Sequence, residues 1–268
     1  MNLLEGLEKF GLDQMDTEHI FEDEKKEEVP AKPQATVKEE VHSEKEFLLE
    51  KSIRCPVCDT VFKTKMVKTG RVKRLEPDFD LRPRFQYIDT NKYDVSSCPK
   101  CGYTAMNRYF SHLSSGQIKM IDEGVRRKFK QTNLVEPEEY SYDEAIDRYK
   151  LALYSTIVKK GKTSEKAFEC LKISWLYRGK NEELMASSDK DAKAIKESQK
   201  EEQVYYAQAY DGFLKAIASE AFPMCGMEES TINLLVAKMA FKVQKHDIAS
   251  RFVSLVLPSL AAGRSAQE

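Results

Sequence analysis

Four cysteines carry the most specific chemistry in this sequence. Cys55 and Cys58 stand in CPVC, and Cys98 and Cys101 stand in CPKCG. A two-residue gap places both thiolates at the ends of one tight turn, where backbone amides can also point at them. Two such turns supply the four sulfurs of a tetrahedral zinc site. All four positions are then filled by protein, so the expected zinc is structural rather than catalytic. A redox role for these cysteines needs a single CxxC at a helix start in a βαβ context. Here two knuckles lie in strand-like sequence. The spacing departs from a compact ribbon: 39 residues separate Cys58 from Cys98, against about 15–20 in the usual pattern. The excess reads as an insertion, with residues 76–92 (EPDFDLRPRFQYIDTNK) as the candidate.

Other chemistry-bearing groups are fewer. Lys63, Lys65, Lys68, Arg71, Lys73 and Arg74 crowd residues 63–74. A basic hairpin of this kind can neutralise phosphates, with Phe62, Phe79, Phe85 and Tyr87 as the aromatics available for stacking. It can equally be a solvated face. In the insertion, Asp78, Asp80, Arg82 and Arg84 alternate in sign and read as an internal ion-pair ladder. Cys170 sits in an apolar helical stretch and reads as a core thiol. Cys225, in PMCGMEES, precedes a helix start that could lower its pKa. Met224 and Met227 beside it favour plain packing. His112 reads as a surface group rather than a fifth ligand. No Ser-His-Asp arrangement, phosphate loop or metal-hydrolase motif is present, and the chain has four histidines in all. The expectation is therefore a protein that is not an enzyme.

The elements that must position these groups follow from patterning. Residues 60–67 (TVFKTKMV) read as a strand, with Gly70 as a turn and 71–75 returning beside it. Residues 93–97 are a third candidate strand. From about Ser111 the period becomes helical. Residues 142–158 form a strong amphipathic helix with Ala145, Tyr149 and Ala152 on one face. Residues 164–177 follow, with Ser164 as the expected N-cap and Gly179 as the stop. Residues 183–222 read as one very long helix, on the order of 60 Å, whose polar middle (187–203) projects into solvent. Residues 232–243 and 248–257 close the chain as a helical hairpin.

Charge divides the chain. Residues 1–50 carry 15 acidic and 6 basic side chains, whereas residues 54–108 carry 12 basic and 6 acidic ones. The organisation expected is a disordered acidic tail over 1–50, a small zinc-ribbon-like β module over 51–108, and an α-helical domain over 109–262. The fold class is thus mainly α. Within the tail, residues 3–12 contain Leu3, Leu4, Leu7, Phe10 and Leu12, which suits a short docking peptide or a floppy end equally. No apolar run reaches the roughly 18 residues of a membrane span, and the N-terminus lacks a signal-like pattern. Paired CxxC motifs in such a chain imply a cytoplasmic protein with reduced thiols.

The helices also resemble tetratricopeptide repeats. Residues 142–153 match a second helix of that repeat, and 168–182 a first helix, with Phe168, Leu171, Trp175 and Gly179 in register. Lys172 stands where the repeat has a small residue. In the last hairpin Val236, Ala237, Ala249, Val253 and Val256 are in place. Taken in order, CPVCDTVFKTKMVKTGRVKRLEPDFDLRPRF, KYDVSSCPKCGY, YKLAL, LKISWLYR and PMCGMEEST resemble the bacterial family labelled domain of unknown function 2225. That resemblance implies a ribbon-like module joined to tetratricopeptide-like helices, and no activity. The expected function is a protein-interaction scaffold with a protein or peptide partner. A nucleic-acid binder using residues 63–74 is the first alternative, and a thiol-dependent enzyme or redox protein using Cys225 or the knuckles is the second.

Overall fold

The computed structural model describes residues 42–130, 136–188 and 191–265, with side chains placed to Leu257. Residues 1–41, with most of the acidic stretch and the apolar 3–12 block, lie outside the described residues. Regular structure is already present before residue 51, the expected start of the β module. Ser43 caps a 3-10 turn at Glu44–Phe47, with Glu46 completing a capping box. Strand β1 (Leu48–Arg54) follows directly.

The β partners differ from expectation. Strand β2 (Val61–Val67) pairs antiparallel with β1, from Leu48 opposite Val67 to Arg54 opposite Val61. The CPVC knuckle is itself the hairpin turn, so β2 has a partner before Gly70 is reached. The short β3 (Arg74–Leu75) pairs instead with β4 (Arg84–Phe85) inside the insertion. Residues 90–93 are a 3-10 turn capped by Asp89. Strand β5 (Val95–Ser97) then pairs with β6 (Thr104–Met106) across the second knuckle.

Six α-helices occur among the described residues. Helix α1 (Ser115–Ile121) opens on a Ser114–Gln117 capping box and runs into a π-helical turn at Asp122–Arg126. Helix α2 (Tyr142–Val158) opens on a Ser141–Glu144 box. Helix α3 (Thr163–Ala186) begins after Lys162, not Ser164. Ser164 lies inside the helix, and both its backbone amide and its hydroxyl donate to Glu220.

Gly179 does not stop α3. Its missing side chain makes room for the Tyr142 ring, which a Cβ there would overlap. A helical glycine costs about 1 kcal/mol relative to alanine, and this close helix approach offsets it. The expected 40-residue helix is in fact two. Helix α3 ends at Ala186, and Asp191 caps α4 (Ala192–Ser219) through the amides of Lys193 and Ala194. Helix α4 folds back antiparallel on α3. Ser198 Oγ donates to the Tyr177 carbonyl, the Tyr177 and Tyr205 rings stack at 5.9 Å, and Gly212 lies against Ala167. The polar residues 187–203 were expected to project into solvent. From Ala192 onward they form the first turns of this helix, with most of their side chains exposed and Ser198 buried against α3. Helices α5 (Glu229–Lys242) and α6 (His246–Ser265) make the last hairpin.

The cores run across the sequence divisions. Leu171, Trp175, Phe213 and Leu235 centre the α3–α6 core. Val95 and Met106 from the second knuckle hairpin share a core with Ala145, Tyr149 and Ile173 of α2 and α3. Residues from His42 onward form one compact unit.

One buried carboxyl is incompletely satisfied. Glu169 is fully buried, Thr156 donates to its Oε1, and its Oε2 has no partner. Burial, aided by the Glu165 charge, pushes its pKa up to about 8 from 4.5. The unfolded chain releases this proton near pH 4.5 and the folded chain only near 8. The stability contributed by Glu169 is therefore full below 4.5, falls as pH rises through that window, and levels off above 8. At about 1.4 kcal/mol per unit the loss amounts to a few kcal/mol. Glu169→Gln should flatten this profile and unfold at a higher denaturant midpoint than the parent at pH 9. A parent-like slope in the variant would assign the pH dependence to other groups.

Candidate metal centre

Both knuckles build the same turn. In the first, the Cys55 amide donates to the Thr60 carbonyl at 2.9 Å, and the Asp59 amide donates to the Cys55 carbonyl at 3.0 Å. In the second, Cys98 donates to Tyr103 and Gly102 to Cys98, each at 2.9 Å. The residue after each second cysteine is left-handed: Asp59 at φ 58° and Gly102 at φ 73°. Asparagine, aspartate and glycine tolerate this region best.

The two turns bring all four sulfurs together. Cys55 Sγ lies 3.5 Å from Cys101 Sγ, and Cys58 Sγ lies 3.6 Å from Cys98 Sγ. The four ligand atoms all fall within 4.8 Å of one another. A disulfide would need about 2.05 Å, and all four are free thiols. Four thiolates bound at about 2.3 Å in a tetrahedron stand roughly 3.8 Å apart. The cluster therefore fits a metal ion. Its walls are dry, formed by Phe62, Tyr103, Ala105, Phe110 and Ile121. Hydrogen bonds from Cys101 and Cys55 hold Cys98 low, whereas its neighbours Cys55 and Cys98, together with burial, push Cys101 far up. Four thiolates this close would need a cation between them. Thr60 Oγ, 3.3 Å from Cys58 Sγ, is placed to donate to a thiolate.

Gly102 matters twice, for its φ and for its neighbour. A Cβ there would overlap the Phe129 ring. Gly102→Ala should cost about 1–3 kcal/mol and lower the melting temperature by several degrees. An unchanged melting temperature would show that Phe129 gives way freely.

The insertion is docked rather than free. Asp78, Asp80, Arg82 and Arg84 form ion pairs, as their alternation suggests, but most partners come from elsewhere. Arg178 on α3 grips Asp80 with two nitrogens at 2.9 and 2.6 Å and also reaches Asp78 at 3.1 Å. Glu182, one turn on, receives Arg84 at 2.5 and 2.7 Å and Arg82 at 3.2 Å. Arg82 also donates to Asp89 at 2.8 Å, and Glu202 of α4 accepts from Arg178. Asp80 and Arg82 are each 1% exposed. Burial alone would raise the Asp80 carboxyl, but the Arg178 guanidinium more than offsets it and holds the group below the usual range. Lys172 adds a second clamp: its Nζ donates to Asn91 at 3.0 Å and Asp94 at 3.2 Å. Arg178, Glu182 and Glu202 escaped the sequence reading. Charges in a helix next to an apparent glycine stop look like an exposed end.

The family model described as an uncharacterized protein conserved in bacteria (DUF2225) matches residues 48–267. The chain belongs to the DUF2225 family. No curated protein and no solved structure matches it.

The remaining candidates in this DUF2225 chain are dispersed. Of the six basic residues at 63–74, Lys65 is buried over the Tyr140 ring, Lys63 pairs with Glu50, and Lys68 donates to the Glu46 carbonyl. Arg71, Lys73 and Arg74 remain exposed. Cys225 is buried, donates to the Ser164 carbonyl at 3.2 Å, and is pushed up to about 11 by burial. It precedes the first residue of α5 by four positions, outside the reach of the helix N-terminus. Cys170 lies in the α3–α4 core, where burial raises it to about 12. His112 is exposed and outside the sulfur cluster. Among the described residues, no helix is long and apolar enough to cross a membrane.

Proposed function

We propose that this chain is a zinc-stapled, non-catalytic platform that binds another protein through its helical surface. The carrying observation is the docked insertion. Arg178, Glu182 and Lys172 tie the segment between the two knuckles to α3. A metal closing the knuckles thus also fixes one wall of the helical part. Zinc suits four thiolates in a dry tetrahedral pocket and brings no redox chemistry. With four sulfur ligands there is no place on the ion for a reacting water. The raised pKa and burial of Cys225 leave little thiolate at neutral pH, which counts against thiol catalysis. Six free cysteines suit the reducing bacterial cytoplasm.

The tetratricopeptide-like reading gains support from Ala145, Ala152, Ala237 and Ala249, all buried where helices meet. Val253, expected inside, is 44% exposed. Lys172, the departure from the repeat pattern, serves the insertion.

The test has two arms. Elemental analysis of the purified chain should find one zinc per molecule. Cross-linked purification of tagged chain from its native cells should recover one protein at near-stoichiometric level. No zinc ends the staple, and no partner ends the platform. Nucleic acid co-purifying with steep salt dependence, lost on charge reversal of Arg71, Lys73 and Arg74, would favour the phosphate-binding alternative.

A further inference from the structure

Helices α5 and α6 leave an apolar groove of about 550 Å3 between them, lined from α5 by Leu234, Ala237 and Phe241 and from α6 by Ala249 and Val253. The spacing on each helix is that of one face. Ala237 and Ala249 are buried, so the floor is shallow-sided and close to backbone. The rim is not buried: Phe241 is 56% exposed. The insertion closes one side. Phe79 is 55% exposed and meets Phe241 with ring centroids 5.8 Å apart. It is the residue before Asp80, so the Arg178 clamp holds it there. Soluble domains seldom leave two such aromatic rings at the edge of an apolar groove without a use for them.

The charge around the groove has one sign. Lys238 is the charged residue of the lining, beside the polar His246, and no acid lines it. Lys238 Nζ sits 5.1 Å from the Phe79 ring centre, and Lys245 is exposed at the α5–α6 turn. Asp247 is one position round α6, turned about 100° from the lining face.

We propose that this groove docks an amphipathic helix of another protein, acidic along the flanks of its apolar stripe. A groove between two helix ridges accepts a third helix, read through anchors at i, i+3, i+4 and i+7. The cationic rim selects glutamate and aspartate flanks. A second copy of this chain is the poorer occupant. A twofold contact would bring together two copies of one patch, each carrying Lys238 and no acid to pair with it. The inference rests on the platform reading and names the chemistry of its partner.

The experiment uses the full-length, zinc-loaded chain and two labelled synthetic helical peptides. Both carry leucines at i, i+3, i+4 and i+7. One has glutamates at the flanking positions and the other has lysines. By fluorescence anisotropy the glutamate peptide should bind at least about tenfold more tightly. Phe241→Glu and Phe79→Ser should abolish this binding, while Lys238→Glu should reverse the preference between the peptides. Both phenylalanines are more than half exposed, so unchanged melting curves will show that the variants fold. Equal binding of the two peptides, no binding of either, or binding indifferent to Phe241→Glu would each overturn the proposal. So would a concentration-dependent dimer that Phe241→Glu dissolves, because the occupant is then a second copy. If the groove fails while the chain holds zinc and recovers a native partner, the platform reading stands and only this docking site falls.

Discussion

Cys98→Ser should release the metal, unfold both knuckle hairpins and lower the melting temperature of the whole chain by about 10 °C or more. The size follows from three magnitudes. Structural zinc contributes on the order of 10 kcal/mol in small thiolate sites. Domains are stable by only about 5–15 kcal/mol. Each kcal/mol shifts the midpoint by roughly 2–4 °C for a domain of about this size. The module cannot fall alone, because Val95 and Met106 are packed with Tyr149 and Ile173. Hydrogen exchange should show protection lost over residues 48–67 and 95–106, with weaker loss in α2. Chelation of the parent should reproduce the pattern. A variant that melts like the parent, with full amide protection, would mean that the sulfur cluster contributes little to the fold.

Arg178→Met should be the most damaging single change outside the knuckles, at about 3–5 kcal/mol. It leaves the Asp80 carboxylate buried with its main partner gone, and Asp78 and Glu202 lose a cation. The pH dependence gives a second reading. In the parent, Arg178 holds Asp80 below its unfolded value. That stability is present above pH 3.8 and lost as pH falls through the folded pKa. In the variant, burial is opposed mainly by the more distant Lys242, and the Asp80 pKa rises. The deficit should then shrink as pH is lowered towards 4, where protonation removes the uncompensated charge. Adding Asp80→Asn should recover part of the loss, because paired groups are not additive. Urea unfolding at pH 7 and pH 4.5 measures all of this. A cost below about 1 kcal/mol at pH 7 would place Arg178 among ordinary surface pairs.

What was legible in the sequence was local. The knuckles declare themselves because two residues and a tight turn suffice to aim two sulfurs. Strand β2 and helix α2 follow from alternation and from the helical spacing of Ala145, Tyr149 and Ala152, all within one element. Buried positions such as Ala145, Tyr149, Leu171 and Val236 follow from helical period. The alternating charges of the insertion were visible as an ionic segment.

The tertiary structure decided where those signals are spent. The partner of β2 lies before the knuckle because the knuckle is the turn. Helix α3 passes through Gly179 because the Tyr142 ring, far off in sequence, occupies the space a side chain would fill. The 183–222 stretch breaks and folds back because α4 has an apolar face that α3 covers. Arg178 and Asp80 meet across nearly a hundred residues, and no local pattern encodes that distance. The four cysteines and their common ion-sized cluster are therefore written in spacing alone. That the loop between them forms part of the helical surface depends on long-range charge pairing, which only the folded chain brings into contact.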